Sequence, residues 1–229
     1  MTAQELRLAR KQRRWTQMKT AARLGVSQPY LALLESGKRE PGPRLTRRAV
    51  NVLKLRPTAL PLGDKPMGKV DAQNLAQQFA SLGYPGFAYL RAARKRNPAE
   101  VLLTALAQDD LEARLTEALP WLLLHHADMN REWLVSQARL HNLSNRLGFM
   151  VTLAKEVASK KGDASPMRDE ALNRLEAELS DSRLDKEDTL CQSSLSPRER
   201  EWLRETRPAD AKYWHLLTDW RAGHLQYAF

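Results

Sequence analysis

The sequence predicts an all-α protein in two parts, a small bundle of four or five short helices followed by a larger helical body. Three observations carry this. Apolar residues recur every three or four positions, and no strand-like alternation competes with them in the first 55 residues. Residues 56–66 read RPTALPLGDKP, where Pro57, Pro61 and Pro66 break any helix and Gly63-Asp64 offers a turn. The chain is therefore divided into residues 1–56, a proline-rich linker at 57–69 and a helical domain at 70–229. The charge is also lopsided, with 15 Lys and Arg against 4 Asp and Glu in residues 1–66, and 22 against 23 in the remainder. A basic excess confined to one segment is what a polyanion-binding module attached to a near-neutral body would show, and nucleic acid is the first partner it implies. A merely solubilising tail would be poor in apolar residues and lack the periodicity of residues 1–55.

Composition bounds the rest. Of 229 residues, 42% are hydrophobic and 28% charged, enough for a packed core and against wholesale disorder. No apolar run approaches the roughly 18–20 residues of a membrane span, and the first 25 residues carry basic groups where a signal core would be apolar. The expectation is a cytoplasmic protein without a membrane partner. Cys191, the single cysteine, excludes an intrachain disulfide and a cysteine-based zinc site and fits a reducing compartment.

Four helical segments precede the linker. Residues 4–13 place Leu6, Ala9 and Arg10 at spacings compatible with one face. Thr16 offers an N-cap hydroxyl to a second helix, 17–24, with Met18, Ala21 and Ala22 on its small apolar side. Gly25 ends that helix, Val26 turns back toward the core, and Ser27 caps the next. The third helix runs to 34 or 36 with Pro29 in its first turn. Leu31 and Leu34 point inward there, which leaves Gln28, Tyr30 and Leu33 outside. The fourth, 44–55, repeats the pattern with Leu45, Ala49, Val52 and Leu53.

Two short helices joined by a tight glycine turn, the second bearing exposed polar side chains, fit one helix into a major groove. The stretch TQMKTAARLGVSQPYLALLESGKREP resembles the helix-turn-helix of the XRE/Cro-type phage-repressor family. The matched features are Thr16-Gln17, Ala21, Gly25, Ser27-Gln28, Leu31, Leu34, and Glu35 followed by Gly37-Lys38-Arg39. The resemblance covers about residues 4–55 and implies a repressor-type domain that binds double-stranded DNA as a dimer on a palindromic operator. It implies that Gln28, Pro29, Tyr30 and Leu33 face base edges, with adenine the bidentate partner of an amide. It further implies phosphate contacts from Gln17, Ser27, Lys38 and Arg39, with Arg13, Arg14 and Lys19 beside them. Arg10 and Glu35 resemble the family's internal ion pair, a structural feature. Thr20 departs from the pattern, where the family usually has a buried leucine. A threonine there costs apolar burial and needs a hydroxyl partner, so the module is expected to be marginal alone or to lean on the second domain.

Beyond Val70 helices are expected at 71–82, 98–107, 109–125, 130–160, 166–179, 197–205 and 209–219, with Pro98, Pro166 and Pro197 at helix starts. In the long 130–160 segment, Trp133, Leu134, Ala138, Leu140, Leu143, Leu147, Met150, Val151 and Leu153 form a stripe that suits a core or a partner helix. Tyr84, Phe87 and Tyr89, followed by Arg91, Arg94, Lys95 and Arg96, read either as a nucleic-acid contact or as core aromatics beside a solvated basic helix end. Tyr213, Trp214, Trp220, Tyr227 and Phe229 either close the core or anchor a partner.

No catalytic residue, cofactor or metal site is expected. His125, His126 and His141 lack ligand spacing; Asp109, Asp110 and Glu112 read as dipole complements at a helix start. No phosphate loop or nucleophile elbow is present in the sequence. The motifs NPAEVLLTALAQDD, NRLGF and EDTLC make the helical part similar to antitoxin-type regulators of toxin–antitoxin operons, which implies a cognate toxin as partner. A stand-alone repressor whose helical part only dimerises or senses an effector is the alternative. A DNA-targeted helical hydrolase, with Asp109 and Asp110 in its metal site, is a third reading.

Overall fold

A computed structural model describes residues 1–63, 68–91 and 93–225; of the residues singled out in the sequence, Asp64, Pro66, Tyr227 and Phe229 lie outside that set. The protein is all-α apart from a two-residue strand pair, and its chain forms two compact units, residues 1–64 and 65–229.

In the first unit, α1 (Ala3–Gln12) begins with a capping box. The Thr2 hydroxyl accepts from Glu5 N–H at 3.2 Å and the Glu5 carboxylate accepts from Thr2 N–H at 2.6 Å. Helix α2 (Gln17–Leu24) is capped by Thr16 and ends at Gly25, whose φ of +66° is left-handed. A Cβ there would lie 2.5 Å from Arg48 Nη1, the movable end of a long side chain, so it is the left-handed backbone that calls for glycine. Helix α3 (Gln28–Glu35) is capped by Ser27, and α4 (Pro43–Leu53) closes the bundle. Leu6, Ala9, Ala21, Leu24, Leu31, Leu34, Ala49 and Leu53 form its core. The segment read as linker starts inside the fold: Pro57–Ala59 is a 3-10 turn, and Ala59 and Leu60 are buried against Val50. Thr20 is fully buried and its hydroxyl donates to Thr16 C=O at 3.0 Å, so the partner it needs comes from its own helix, one turn back.

The second unit contains α5 (Ala72–Leu82), α6 (Pro98–Leu106), α7 (Ala113–His125), α8 (Arg131–Leu140), α9 (Ser144–Lys160), α10 (Pro166–Ser180), α11 (Pro197–Thr206) and α12 (Ala209–Tyr213). Helix α9 is central, packing against α6, α7, α8, α10 and α12. Strands β1 (Asp188–Thr189) and β2 (Leu216–Leu217) pair in parallel.

Three expected helices are shorter than the sequence implied. The 130–160 segment breaks into α8 and α9 because Asn142 takes φ +56°, with Leu143 N–H donating to Ala138 C=O at 2.7 Å and Asn142 N–H to Arg139 C=O at 3.3 Å. This is a Schellman end, for which asparagine is the usual substitute when glycine is absent. Helix α7 starts at Ala113, not 109: Asp110 bridges to Gln192 and its carboxylate accepts from Ser194 N–H (3.0 Å) and Oγ (2.7 Å), while Asp109 pairs with Lys69 at 2.6 Å. These acids tie loops together and do not complement a helix dipole. Helix α12 stops at Tyr213 because His215 is left-handed (φ +52°) and the chain then enters β2. The apolar stripe of α8 and α9 is core except at Leu140, which is exposed, and Trp133, which is half-buried. Trp214 is buried, whereas Tyr213 stays half-exposed.

Arg146 of α9 ties the second unit's loops together. It donates to both Asp188 oxygens (2.7 and 3.1 Å) and to the carbonyls of Leu106 (2.8 Å) and Gln108 (3.2 Å). Cys191 packs beside it, and burial pushes its thiol up to about 11. The native protein is therefore expected to resist thiol alkylation at neutral pH until it is unfolded in denaturant, as followed by mass spectrometry.

His126 is buried against the edge of Trp121, and its Nε2 has no hydrogen-bond partner. Burial lowers its pKa to about 4, His125 and Lys95 act in the same sense, and Asp128 opposes them. A depressed folded pKa stabilises above the unfolded value of about 6.5 and loses that stability as pH falls toward 4, about 3 kcal/mol at full extent. Urea unfolding of the second-unit transition should weaken from pH 7 to 5, and His126→Phe should flatten that dependence.

Candidate nucleic-acid interface

The helix-turn-helix lies at α2, Gly25–Val26–Ser27 and α3. Leu31, Leu34 and Glu35 of α3 are buried; Gln28, Pro29 and Leu33 are exposed, with Tyr30 half-buried at the edge of the core. Of the four expected base readers, Gln28 alone is an exposed side chain with a polar amide.

Gln28 is held by a relay running back into the fold. Arg10 donates from Nε to Glu35 Oε1 at 2.6 Å and from Nη2 to Oε2 at 2.9 Å, and from Nη1 to Trp15 C=O at 3.0 Å. Gln17 Nε2 donates to Glu35 Oε2 at 2.9 Å, and Gln28 Nε2 donates to Gln17 Oε1 at 2.8 Å. Each link fixes the next. An ionised carboxylate only accepts, so Gln17 must turn its NH2 toward Glu35 and its oxygen toward Gln28. Gln28 then commits one N–H to Gln17 and keeps its oxygen and second N–H for an outside partner. One acceptor and one donor side by side match adenine N6 and N7 in the major groove. Glu35 stays ionised throughout: although burial opposes it, the Arg10 and Gln17 hydrogen bonds and the charges of Arg10 and Arg7 bring its pKa below the ordinary range, and Arg10 is raised.

The remaining expected contacts divide. Lys38 and Arg39 are exposed just past α3, their backbone N–H groups donating to Leu33 C=O at 3.0 and 3.3 Å, so the loop that presents them is tied to α3. Gln17 is half-buried in the relay, and Ser27 uses its oxygen to cap Tyr30 N–H at 3.3 Å. Arg14 is exposed at φ +53°. Arg13 donates to Leu53 C=O at 3.2 Å, which makes it a clasp between α1 and α4.

The sequence reading missed Trp15. Its ring is the common platform of three cations, with Arg23, Arg13 and Lys19 at 4.6, 5.4 and 5.6 Å from the ring centroid. The signal was present as Trp15, Lys19 and Arg23 at four-residue spacing, which places the two cations on one stripe of α2. Arg23 C=O also accepts from Arg48 Nε at 3.2 Å, so the cationic flank continues onto α4.

In the second unit, His125 stacks on Trp121 at 4.3 Å and its Nδ1 meets Trp121 C=O at 3.0 Å. Among the described residues no three His, Cys, Asp or Glu side chains come together as a metal-holding group, and no helix is long and apolar enough to cross a membrane.

Comparison with known proteins bears on the first unit. Residues 3–61 match a family model described as a helix-turn-helix domain. No curated protein and no solved structure matches the chain. Residues 3–61 thus form a helix-turn-helix domain, a DNA-binding fold.

Proposed function

We propose that the protein is a sequence-specific transcriptional repressor, acting by binding without catalysis, and that it controls its own operon as the antitoxin of a toxin–antitoxin pair in the cytoplasm. The observation that carries the DNA half is the Arg10–Glu35–Gln17–Gln28 relay, which sets one exposed amide in the donor and acceptor order that adenine requires. One such module spans few base pairs, so useful affinity calls for a dimer on a two-fold operator.

The second unit takes the protein-partner role. Its surface leaves Met167 86% and Leu140 69% exposed, and Met167 borders a groove where Arg131, Glu170 and Arg174 flank the buried side chains of Leu123, Met129 and Leu172. Apolar surface of this kind is what a protein partner covers. Its motifs resemble those of antitoxin-type regulators. The alternative, a stand-alone repressor, is separated by co-expression with the product of the neighbouring gene: a stable complex that relieves that product's toxicity favours the antitoxin reading, and no complex and no rescue favours the alternative.

Loss of one base contact and loss of one phosphate contact differ in signature. Gln28→Ala should cost about 1–3 kcal/mol on the operator and relax one base position per half-site. Lys38→Ala or Arg39→Ala should weaken operator and random duplex alike and reduce the slope of log K against log salt by about 0.9. Anisotropy titrations over a salt series read both.

A further inference from the structure

A second basic surface lies in the C-terminal unit, and we propose that it is an additional DNA contact, gripping duplex phosphates outside the bases read by α3. The proposal rests on the DNA-binding reading above.

Its residues are Arg91, Arg94, Lys95 and Arg96, between the turn at Pro85–Phe87 and α6. All four are exposed. No acidic residue occurs between Asp71 and Glu100, and without these four cations the chain beyond residue 66 would carry a net charge of −5. Four of the 22 Lys and Arg beyond residue 66 thus sit in one short stretch that holds no acid. Among the described residues, the one ion pair made by the four is Arg96 with Glu100 at 3.7 Å. Three cations therefore stay hydrated and uncompensated, a cost in self-repulsion that a polyanion relieves.

The segment is also anchored from below. The aromatic residues that precede it divide into two roles. Tyr84 and Phe87 are buried in edge-to-face and tilted contact with Phe79 and Trp121, with centroids 5.4–6.5 Å apart. Leu90 N–H donates to Phe87 C=O at 2.9 Å, and buried Asn97 caps α6 by accepting from Ala99 N–H at 3.0 Å. The residues on either side of the basic segment are therefore tied to the core, through Phe87 before it and Asn97 after it. Tyr89, 69% exposed, adds a phenol donor suited to a phosphate oxygen.

Charge without an apolar anchor favours a phosphate backbone over an acidic protein. Tyr89 is the only large apolar or aromatic side chain that is strongly exposed among the described residues from 72 to 100, whereas protein interfaces centre on buried apolar anchors. Guanidinium groups pair with phosphate oxygens in bidentate fashion, with no need of sequence. Because both contacts belong to one chain, engagement of α3 raises the effective concentration of flanking phosphates at this surface.

The test uses the full chain and two labelled probes, a long duplex enriched from a random pool by the protein and a long unselected duplex. Arg91→Ala/Arg94→Ala/Lys95→Ala should lower affinity at least about tenfold for both probes and reduce the salt slope by about 2–3, leaving the ratio between the probes unchanged. Gln28→Ala, run beside it, should reduce the ratio and keep the slope. A triple variant with the slope and affinity of the parent overturns the proposal, and in that case a loss of acidic-protein binding would assign the surface to a protein partner. If the parent itself shows no preference between probes, the base-reading role of α3 fails, and the slope on the unselected duplex still decides this surface. Should the triple variant melt earlier than its parent, the single substitutions, each expected to remove about 0.9 from the slope, replace it.

Discussion

Arg10→Met should lower the stability of the N-terminal unit by about 3–5 kcal/mol and abolish selective DNA binding. Glu35 would be left nearly solvent-free without its countercharge, with Gln17 as its remaining hydrogen-bond partner. Removing one member of a buried pair costs more than the pair contributes, because the desolvation of the survivor is no longer offset. A double variant, Arg10→Met/Glu35→Leu, replaces both by apolar groups and should recover most of the stability. It should not recover selective binding. Without the carboxylate, Gln17 loses the acceptor that orients it, and Gln28 loses its fixed donor and acceptor order. Unfolding curves and operator affinity measured on the same three proteins separate the two roles; full recovery of selectivity in the double variant would show that the relay does not orient the reader.

Trp214→Ala should cost about 3–5 kcal/mol in the second unit, the range for an emptied aromatic site. The indole fills a slot that exists because residue 148 on α9 has no side chain. A Cβ on Gly148 would sit 2.3 Å from Trp214 Cζ3, inside contact distance of the ring. On the far side, Trp214 Nε1 donates to Thr152 Oγ1 at 2.9 Å, and that hydroxyl in turn donates to Glu176 Oε1 of α10 at 2.7 Å. Glu176 also pairs with Lys155. The ring thus joins α12, α9 and α10. Gly148→Ala alone should destabilise by about 1–3 kcal/mol through overpacking, yet cost little in a Trp214→Ala background where the space is free. Additive effects in that cycle would contradict the slot.

Local signals were legible in the sequence wherever a single residue decides the backbone. Thr16, Gly25 and Ser27 mark the turn because an N-cap oxygen and a left-handed glycine leave few alternatives. The exposure of Gln28 follows from the helical period once those ends are set, and the Arg10–Glu35 pair is the one the family resemblance implied. Long-range pairing was not legible. Asn142 ends α8 with a signal, His-Asn-Leu, that is weaker than a glycine, and the apolar stripe runs through the break because both helices face one core. Asp109 and Asp110 looked like helix-start acids, but their partners, Lys69 and Ser194, are distant in sequence. The β1–β2 pair is two residues long and joins segments nearly 30 positions apart, too short to produce an alternating pattern. Within the interface, the family resemblance implies a phosphate contact for Arg13, and its bond to the Leu53 carbonyl depends on a neighbour 40 residues away.

Selection of the full chain against a randomised duplex pool, repeated with Gln28→Ala, puts the reading of bases by α3 to the most direct test. The account requires a motif with two-fold symmetry for the parent and a relaxed single position in each half-site for the variant. Enrichment of no sequence, or an identical motif from both proteins, would contradict it.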